Sequence, residues 1–151
     1  MVAPERGFTA KGVGEVVLRV RDLDGMIAFY TEALGLELLR CISDDIAFLR
    51  VAPGFGGHTQ IVGFFRDRLP SNFRRRPWAG HDPARTTLHH FALEIGPDEY
   101  DSALAHFARL GIATDTAVHA WIGWRSIYLR DPEENTVELV CFDPMIEITE
   151  G

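Results

Sequence analysis

The chain has 151 residues and a formal net charge of −7; 46% of its residues are hydrophobic and 25% are charged. This composition is typical of a globular protein with a substantial core, and the negative charge argues against a dominant nucleic-acid or membrane-surface role. The sequence contains no apolar stretch long enough to span a bilayer, and its N-terminus lacks the apolar core of a signal peptide. The two cysteines, Cys41 and Cys141, show no metal-finger or redox spacing, so we expect a cytoplasmic protein.

The first half of the chain predicts a strand, a helix and three further strands. Alternation of apolar and polar residues around several valines indicates the first strand. Asp22 or Asp24 is the candidate cap of the helix, and Gly35 is its predicted end. A glycine-rich loop is predicted at 52–57. The predicted strands are 14–20, 36–42, 46–51 and 59–65.

The second half repeats this order, which predicts two β-α-β-β-β modules. Its helix covers about 98–109 and ends at Gly111, and a turn at 131–135 precedes the last strand. The predicted strands are 88–95, 114–120, 125–130 and 136–142. We therefore expect an α+β fold in which paired modules form a curved mixed sheet around a cleft.

One domain is expected over residues 1–151, with module one at 10–66 and module two at 87–143. The linker at 67–86 is rich in arginine and proline. A linker of this length is either a solvated connection or a partly ordered lid with an anion-binding rim, and the sequence leaves both interpretations open.

Alignment of the two halves brings four polar residues to the start of matched strands. The matched segments are 15–20 with 90–95 and 59–62 with 137–140. The polar residues are Glu15, Gln60, His90 and Glu138. Because side chains of a strand alternate between faces, we expect all four on the sheet face that points away from the helices. All four can ligate a metal, although a strand histidine can equally be a rim residue and Glu15 a solvated one.

These motifs resemble the vicinal oxygen chelate superfamily, which includes glyoxalase I, extradiol dioxygenases, fosfomycin-resistance enzymes and bleomycin-binding proteins. The segments that carry the resemblance are 15–23, 29–30, 34–36, 89–93 and 131–139. The resemblance extends over most of residues 13–142 and leaves out the arginine-rich linker. The resemblance implies a cleft between paired modules, with a divalent metal held by the first and last strands of each module.

Position by position, the resemblance implies metal ligands at Glu15, Gln60, His90 and Glu138, with Glu15 and Glu138 as candidate catalytic groups that move a proton. Glu15 departs from the histidine that is most frequent in the family. Non-haem Fe(II) oxygenases use two histidines and one carboxylate. A second histidine would have to come from His58 or His89, each of which should point away from its neighbouring ligand position.

The implied donor set suits Mn, Co, Ni, Zn or Fe(II). Such an ion keeps positions open for a small substrate with two adjacent oxygens and acts on it as a Lewis acid. We therefore expect a metal-dependent glyoxalase-like enzyme, a lyase or an isomerase. A metal-free small-molecule-binding protein of the bleomycin-resistance kind and a ring-cleaving dioxygenase are the alternatives. The resemblance also implies a homodimer.

Overall fold

The computed structural model describes residues 10–69 and 88–149, so most of the predicted linker lies outside the described residues. Within them the chain forms two successive β-α-β-β-β units. The strands are β1 (Glu15–Val20), β2 (Glu37–Ser43), β3 (Ile46–Pro53), β4 (Thr59–Arg66), β5 (Phe91–Glu94), β6 (Asp115–His119), β7 (Trp124–Arg130) and β8 (Thr136–Phe142). The helices are α1 (Leu23–Ala28), which continues as a π-helical turn (Phe29–Ala33), and α2 (Tyr100–Arg109). Of the helices that the structure describes, none is long and apolar enough to cross a bilayer.

Each unit forms its own four-stranded mixed sheet. The strand orders are β1-β4-β3-β2 and β5-β8-β7-β6. In both sheets the first and last strands of the unit run parallel at one edge, and the remaining pairs are antiparallel. The common topology confirms the predicted α+β fold of paired modules, with a separate sheet in each module.

Local sequence signals explain where the helices begin and end. The Asp22 side chain accepts a hydrogen bond from the backbone N–H of Gly25 at 3.0 Å, which makes it the cap of α1. Gly35 and Gly111 follow the two helices with φ values of 70° and 69°. That left-handed conformation is accessible to glycine without a Cβ clash, so both predicted helix ends are confirmed.

One hydrophobic core is shared by the two units. Tyr30, at the end of the first helix, is fully buried within it. Its ring stacks against Phe91 with centroids 6.4 Å apart and meets Phe64 edge-on at 4.9 Å. Its hydroxyl donates a hydrogen bond of 2.9 Å to Asp131 of the second unit. Burial and the neighbouring Asp131 raise the pKa of Tyr30, so the phenol remains a donor.

Asp131 is the centre of a polar contact between the units. Its carboxylate also accepts hydrogen bonds from the backbone N–H groups of Glu133 and Asn135 and from the Asn135 side chain. Burial raises the pKa of Asp131, and these hydrogen bonds oppose the rise. Beside it, Glu133 accepts hydrogen bonds from the backbone of Arg21 and Asp22 at 2.6 and 2.8 Å. The turn at 131–135 therefore joins the second unit to the first.

Candidate functional site

The structure brings together two of the four predicted site residues, His90 and Glu138. His90 Nε2 lies 3.0 Å from Glu138 Oε2. His90 immediately precedes β5, and Glu138 lies opposite Ala92 of that strand in the parallel β5–β8 register. The side chain of Glu138 is only 7% exposed, whereas that of His90 is 35% exposed.

Of the two side chains, the Glu138 carboxylate is the one that burial makes energetically costly. A carboxylate withdrawn from water requires compensating partners, and His90 is its partner among the described residues. The 3.0 Å separation fits a direct N–H···O hydrogen bond. It fits equally well two ligands of one ion, since donors about 2.1 Å from a metal at right angles lie about 3.0 Å apart.

His89 lies beside His90, which corrects the prediction that it points away. The two Nδ1 atoms are 2.6 Å apart, and the rings meet edge to face. His90 meets Glu138 through Nε2, so His89 contacts the opposite ring nitrogen. A hydrogen bond at that second nitrogen fixes the tautomer and orientation of a ligating histidine. His89 is thus placed to orient the His90 ring.

Two further polar residues, Tyr128 and His119, adjoin the pair and were not among the predicted site residues. Tyr128 of β7 lies opposite Glu138 in the sheet register, and its ring meets that of His90 edge-on with centroids 5.9 Å apart. The Tyr128 hydroxyl lies 3.1 Å from His119 Nε2 on β6. Tyr128 lies between the buried Ile127 and Leu129, so its side chain is on the opposite face of β7 from theirs.

The strand register shows that Gly63, and not Gln60, is the counterpart of Glu138. In the first sheet Gly63 lies opposite Val17, and in the second sheet Glu138 lies opposite Ala92. Val17 and Ala92 are equivalent in the aligned first strands of the two units. The alignment of 59–62 with 137–140 is therefore wrong by three residues.

The predicted common face of Gln60 and Glu15 is also wrong. Glu15 lies opposite Ile61 in the register, so adjacent Gln60 is on the other face of the sheet. It shares that face with Val62 and Phe64, which are buried in the core. The end of the Gln60 side chain packs near Gly12. Gln60 is therefore removed from the candidate ligand set.

Apolar side chains close the position of the first sheet that corresponds to Glu138. A Cβ atom added to Gly63 would lie 3.2 Å from both Phe48 Cε1 and Val17 Cγ2. Phe48 lies opposite Gly63 as Tyr128 lies opposite Glu138. A glycine and a phenylalanine in the first unit thus replace the glutamate and tyrosine of the second.

This packing predicts that Gly63→Ala destabilises the protein by about 1–3 kcal/mol, because a methyl group is forced into a filled space. Thermal or denaturant unfolding measures the loss. Gly12→Ala is the matched control, since its added Cβ would meet only the side-chain end of Gln60, at 3.6 Å. Equal stability of the two variants would contradict the packing described for Gly63.

Glu15 is exposed at the start of β1, on the face of Val17 and Gly63. In residues 10–69 and 88–149, no three His, Cys, Asp or Glu side chains are grouped closely enough to hold a metal ion. Glu15 is therefore not in place beside His90 and Glu138. His58, the other histidine considered, lies next to Gly14, where an added Cβ would be 3.2 Å from its ring.

Comparison with known proteins agrees with this architecture. Residues 12–139 match the model of the Glyoxalase/Bleomycin resistance protein/Dioxygenase superfamily. The chain is 30% identical over 122 residues to 3-methylcatechol 2,3-dioxygenase of Pseudomonas putida; the match covers 75% of this chain but only 38% of that enzyme.

Solved structures of other proteins share the fold. Lactoylglutathione lyase from Agrobacterium tumefaciens is 25% identical with a TM-score of 0.62, over 92% of this chain and 96% of that one. A fosfomycin resistance protein from Listeria monocytogenes is 22% identical with a TM-score of 0.60, over 90% and 97%. The extent of the family match, together with the paired β-α-β-β-β units, shows that this chain belongs to the glyoxalase/bleomycin resistance protein/dioxygenase superfamily.

Proposed function

We propose that the protein is a metal-dependent enzyme of the glyoxalase-like class, a lyase or isomerase whose small substrate binds the metal through two adjacent oxygens. The observation that carries the proposal is the contact of His90 Nε2 with the nearly buried carboxylate of Glu138. An imidazole nitrogen and a carboxylate oxygen at this separation suit two neighbouring positions on Mn, Co, Ni, Zn or Fe(II).

Glu15 is the proposed third ligand, and its exposed side chain would have to move toward His90 and Glu138 to share the ion, because the three are not grouped in the structure. Glu15 is the first residue of β1, and its position corresponds to that of His90 in the alignment of the two units. Gly63 offers no side chain to the ion, so the protein would supply three ligands and leave further positions for the substrate. A bound ion would stabilise negative charge that develops on a substrate oxygen.

Other residues around the proposed metal site would orient the ligands, bind the substrate and transfer the proton. His89 orients His90 through its second ring nitrogen. The Tyr128 ring lies edge-on to His90, and its hydroxyl would donate a hydrogen bond to a substrate oxygen while accepting one from His119 Nε2. Glu15 and Glu138 are the candidate proton carriers. Glu15 suits this role better because it is exposed, whereas Glu138 is committed to His90.

A ring-cleaving dioxygenase is the second candidate. Two observations favour it: the 30% identical relative is a catechol dioxygenase, and Gly63 limits the proposed ligands to three. Non-haem Fe(II) oxygenases use two histidines and one carboxylate, whereas the set here has one histidine and two carboxylates. Oxygen consumption by the Fe(II)-loaded protein with a catechol distinguishes the candidates, because a lyase or isomerase consumes none.

The three-ligand set predicts different effects of removing Glu15 and Gln60. Glu15→Ala should weaken metal binding by about tenfold or more, since loss of a ligand costs at least as much as loss of a supporting residue. Gln60→Ala should leave affinity unchanged, because Gln60 lies on the other sheet face. Glu15→His should preserve binding and shift preference toward ions that favour nitrogen ligands.

Competition titrations with Mn, Co, Ni and Zn against a chromophoric chelator measure these affinities. Equal weakening by Glu15→Ala and Gln60→Ala would restore the four-ligand site and contradict the register argument.

The expected partner is a small molecule, with no nucleic acid or membrane. The homodimer stays a prediction that light scattering at micromolar concentration tests.

A further inference from the structure

Two large aromatic side chains lie exposed on the second sheet, at the end opposite to the His90–Glu138 pair. They are Trp124 of β7 and Phe142 of β8, which are partners in the strand register and are 39% and 52% exposed. Phe142 follows Glu138 by four residues on the same strand, so both side chains point to the same face. The aromatic pair therefore lies on the face of the candidate metal site, roughly 13 Å further along the strand.

The surface between these two ends is apolar. Val140 lies midway between Glu138 and Phe142 on the same face of β8 and is partly exposed. On the neighbouring strand β5, the exposed Ala92 is the partner of Glu138 and carries only a methyl group. An extended hydrocarbon chain can therefore pass over Val140 and Ala92 from the metal site to the aromatic pair.

Tyr128 and His119 form one side of this path. The Tyr128 hydroxyl lies 3.1 Å from His119 Nε2, although the register partner of His119 is Trp124 and not Tyr128. Their contact therefore crosses the row of Ser126, which lies between Tyr128 and Trp124 on β7 and is completely buried. A ligand is thus kept off the middle of β7 and directed along β8.

The exposed Glu94 carboxylate limits the charge of a group on this path. Glu94 is the register partner of Val140, and it lies on the same face of β5 as Ala92 because side chains alternate. It would repel an anionic group at short range. The part of a ligand that passes over Val140 therefore carries no negative charge.

The position of Phe142 is fixed by packing within the second unit. Its ring lies over Gly123, where an added Cβ would be 3.0 Å from Cε2 of the ring, and Ile148 packs beside the same glycine. The backbone N–H of Asp143 donates a hydrogen bond of 2.8 Å to the Gly123 carbonyl. A preorganised surface of this kind loses little conformational entropy when a ligand binds.

From this arrangement we propose that the substrate carries an aromatic hydrocarbon group at the end of an uncharged chain, and that Trp124 and Phe142 bind this group. The inference rests on the proposed metal site, because the chelating oxygens of the same molecule would bind the ion beside His90 and Glu138. The chain would lie over Val140. Offset or edge-on contacts between aromatic rings add to the stabilisation from buried area alone, so the pair would select substrates by their distal ring.

Three hydroxamates, which chelate metal ions through two adjacent oxygens, test this assignment in isothermal titrations of the Mn-loaded full chain. Acetohydroxamate has only the chelating group, benzohydroxamate carries a ring next to it, and phenylhexanohydroxamate carries a ring at the end of a long chain. We expect phenylhexanohydroxamate to bind at least about tenfold more tightly than the other two, because only its ring reaches the aromatic pair. Equal affinities of the three would overturn the aromatic subsite alone. Failure of all three to bind would refute the proposed metal site, and this assignment with it.

Variants connect the preference for the distal ring to the aromatic pair. Trp124→Ala and Phe142→Ala should each weaken binding of phenylhexanohydroxamate by about fivefold or more and leave that of acetohydroxamate unchanged. Val118→Ala is the matched control, since Val118 is 61% exposed on β6 but adjoins His119, the partner of Trp124, and so points to the other face. Unchanged affinity for phenylhexanohydroxamate in both aromatic variants would overturn the proposal.

A second copy of the chain is the competing occupant of the aromatic pair. If such a copy covered Trp124 and Phe142, the double variant Trp124→Ala/Phe142→Ala would have a lower mass in light scattering than the wild type, and the distal ring would add no affinity. That result would overturn the proposal. We expect the double variant to keep the mass of the wild type and to lose the preference for phenylhexanohydroxamate.

Discussion

Replacement of His90 by alanine is expected to reduce metal affinity by about a hundredfold or more, because it removes the sole nitrogen donor of the proposed site. Loss of a residue that only supports a ligand costs about 10–100-fold, and loss of the ligand itself should cost more. The fold should survive, since His90 precedes β5 and is one-third exposed. A cost in stability of about 1–3 kcal/mol is nevertheless expected, because the nearly buried Glu138 carboxylate loses its partner. Titration with Mn, Co, Ni and Zn, together with urea unfolding, measures both effects.

Two other histidine variants accompany this test: His106→Ala is the control, and His89→Ala tests the residue that orients His90. His106→Ala removes a hydrogen bond of 2.9 Å between His106 Nε2 and the Ala33 carbonyl, so it should cost some stability but no metal affinity. His89→Ala should lower the affinity by about 10–100-fold, as expected for a residue that orients a ligand. Undiminished metal affinity in His90→Ala would refute the site, whatever the controls show.

Tyr30→Ala is expected to produce the largest loss of stability, about 3–5 kcal/mol or more, because it empties a fully buried aromatic site. The ring contacts both Phe64 and Phe91, so the change weakens the core that joins the two units. Loss of the hydroxyl also leaves Asp131 with one donor fewer. Denaturant unfolding followed by circular dichroism measures the difference.

Tyr30→Phe separates packing from hydrogen bonding at this position. It keeps the ring and removes the hydroxyl, so we expect a loss of about 1–3 kcal/mol. In a double-mutant cycle with Asp131→Asn, the two changes should be non-additive, since the side chains contact each other directly. Additive losses, or a Tyr30→Phe variant as unstable as Tyr30→Ala, would contradict this account of the contact.

Much of the fold was predictable because its signals are local. Asp22 caps α1 through a short-range hydrogen bond, and Gly35 and Gly111 end the helices through positive φ angles. The repeated order of elements then follows from apolar periodicity. His90 and Glu138 were also accessible to sequence reasoning, because each lies in a motif with a recognisable neighbourhood.

The register of β4 was not accessible in the same way. Val62, Gly63 and Phe64 are consecutive and all buried, so alternation of apolar and polar residues does not mark the two faces. Gly63 occupies the position that corresponds to Glu138. Because glycine has no side chain, a search of the sequence for polar ligands does not identify this position. The polar residue nearest to Gly63 on its N-terminal side is Gln60, which fits the ligand pattern in the sequence but lies on the other face of the sheet.

The surroundings of His90 were missed for a different reason. The second module's first strand begins only at Phe91, so the alternation rule does not govern His89. Tyr128 and His119 belong to strands that carry no predicted ligand. Their approach to His90 and Glu138 depends on lateral strand pairing, which a single sequence does not specify.

Metal analysis of the wild-type protein, purified without chelator, tests the central claim most directly. We expect one divalent ion per chain that a chelator removes and that added Mn, Co, Ni or Zn restores, with Glu138→Gln purified in parallel retaining little. Failure of all these ions to bind the wild-type protein would contradict the account and would make the protein a metal-free small-molecule-binding member of its superfamily.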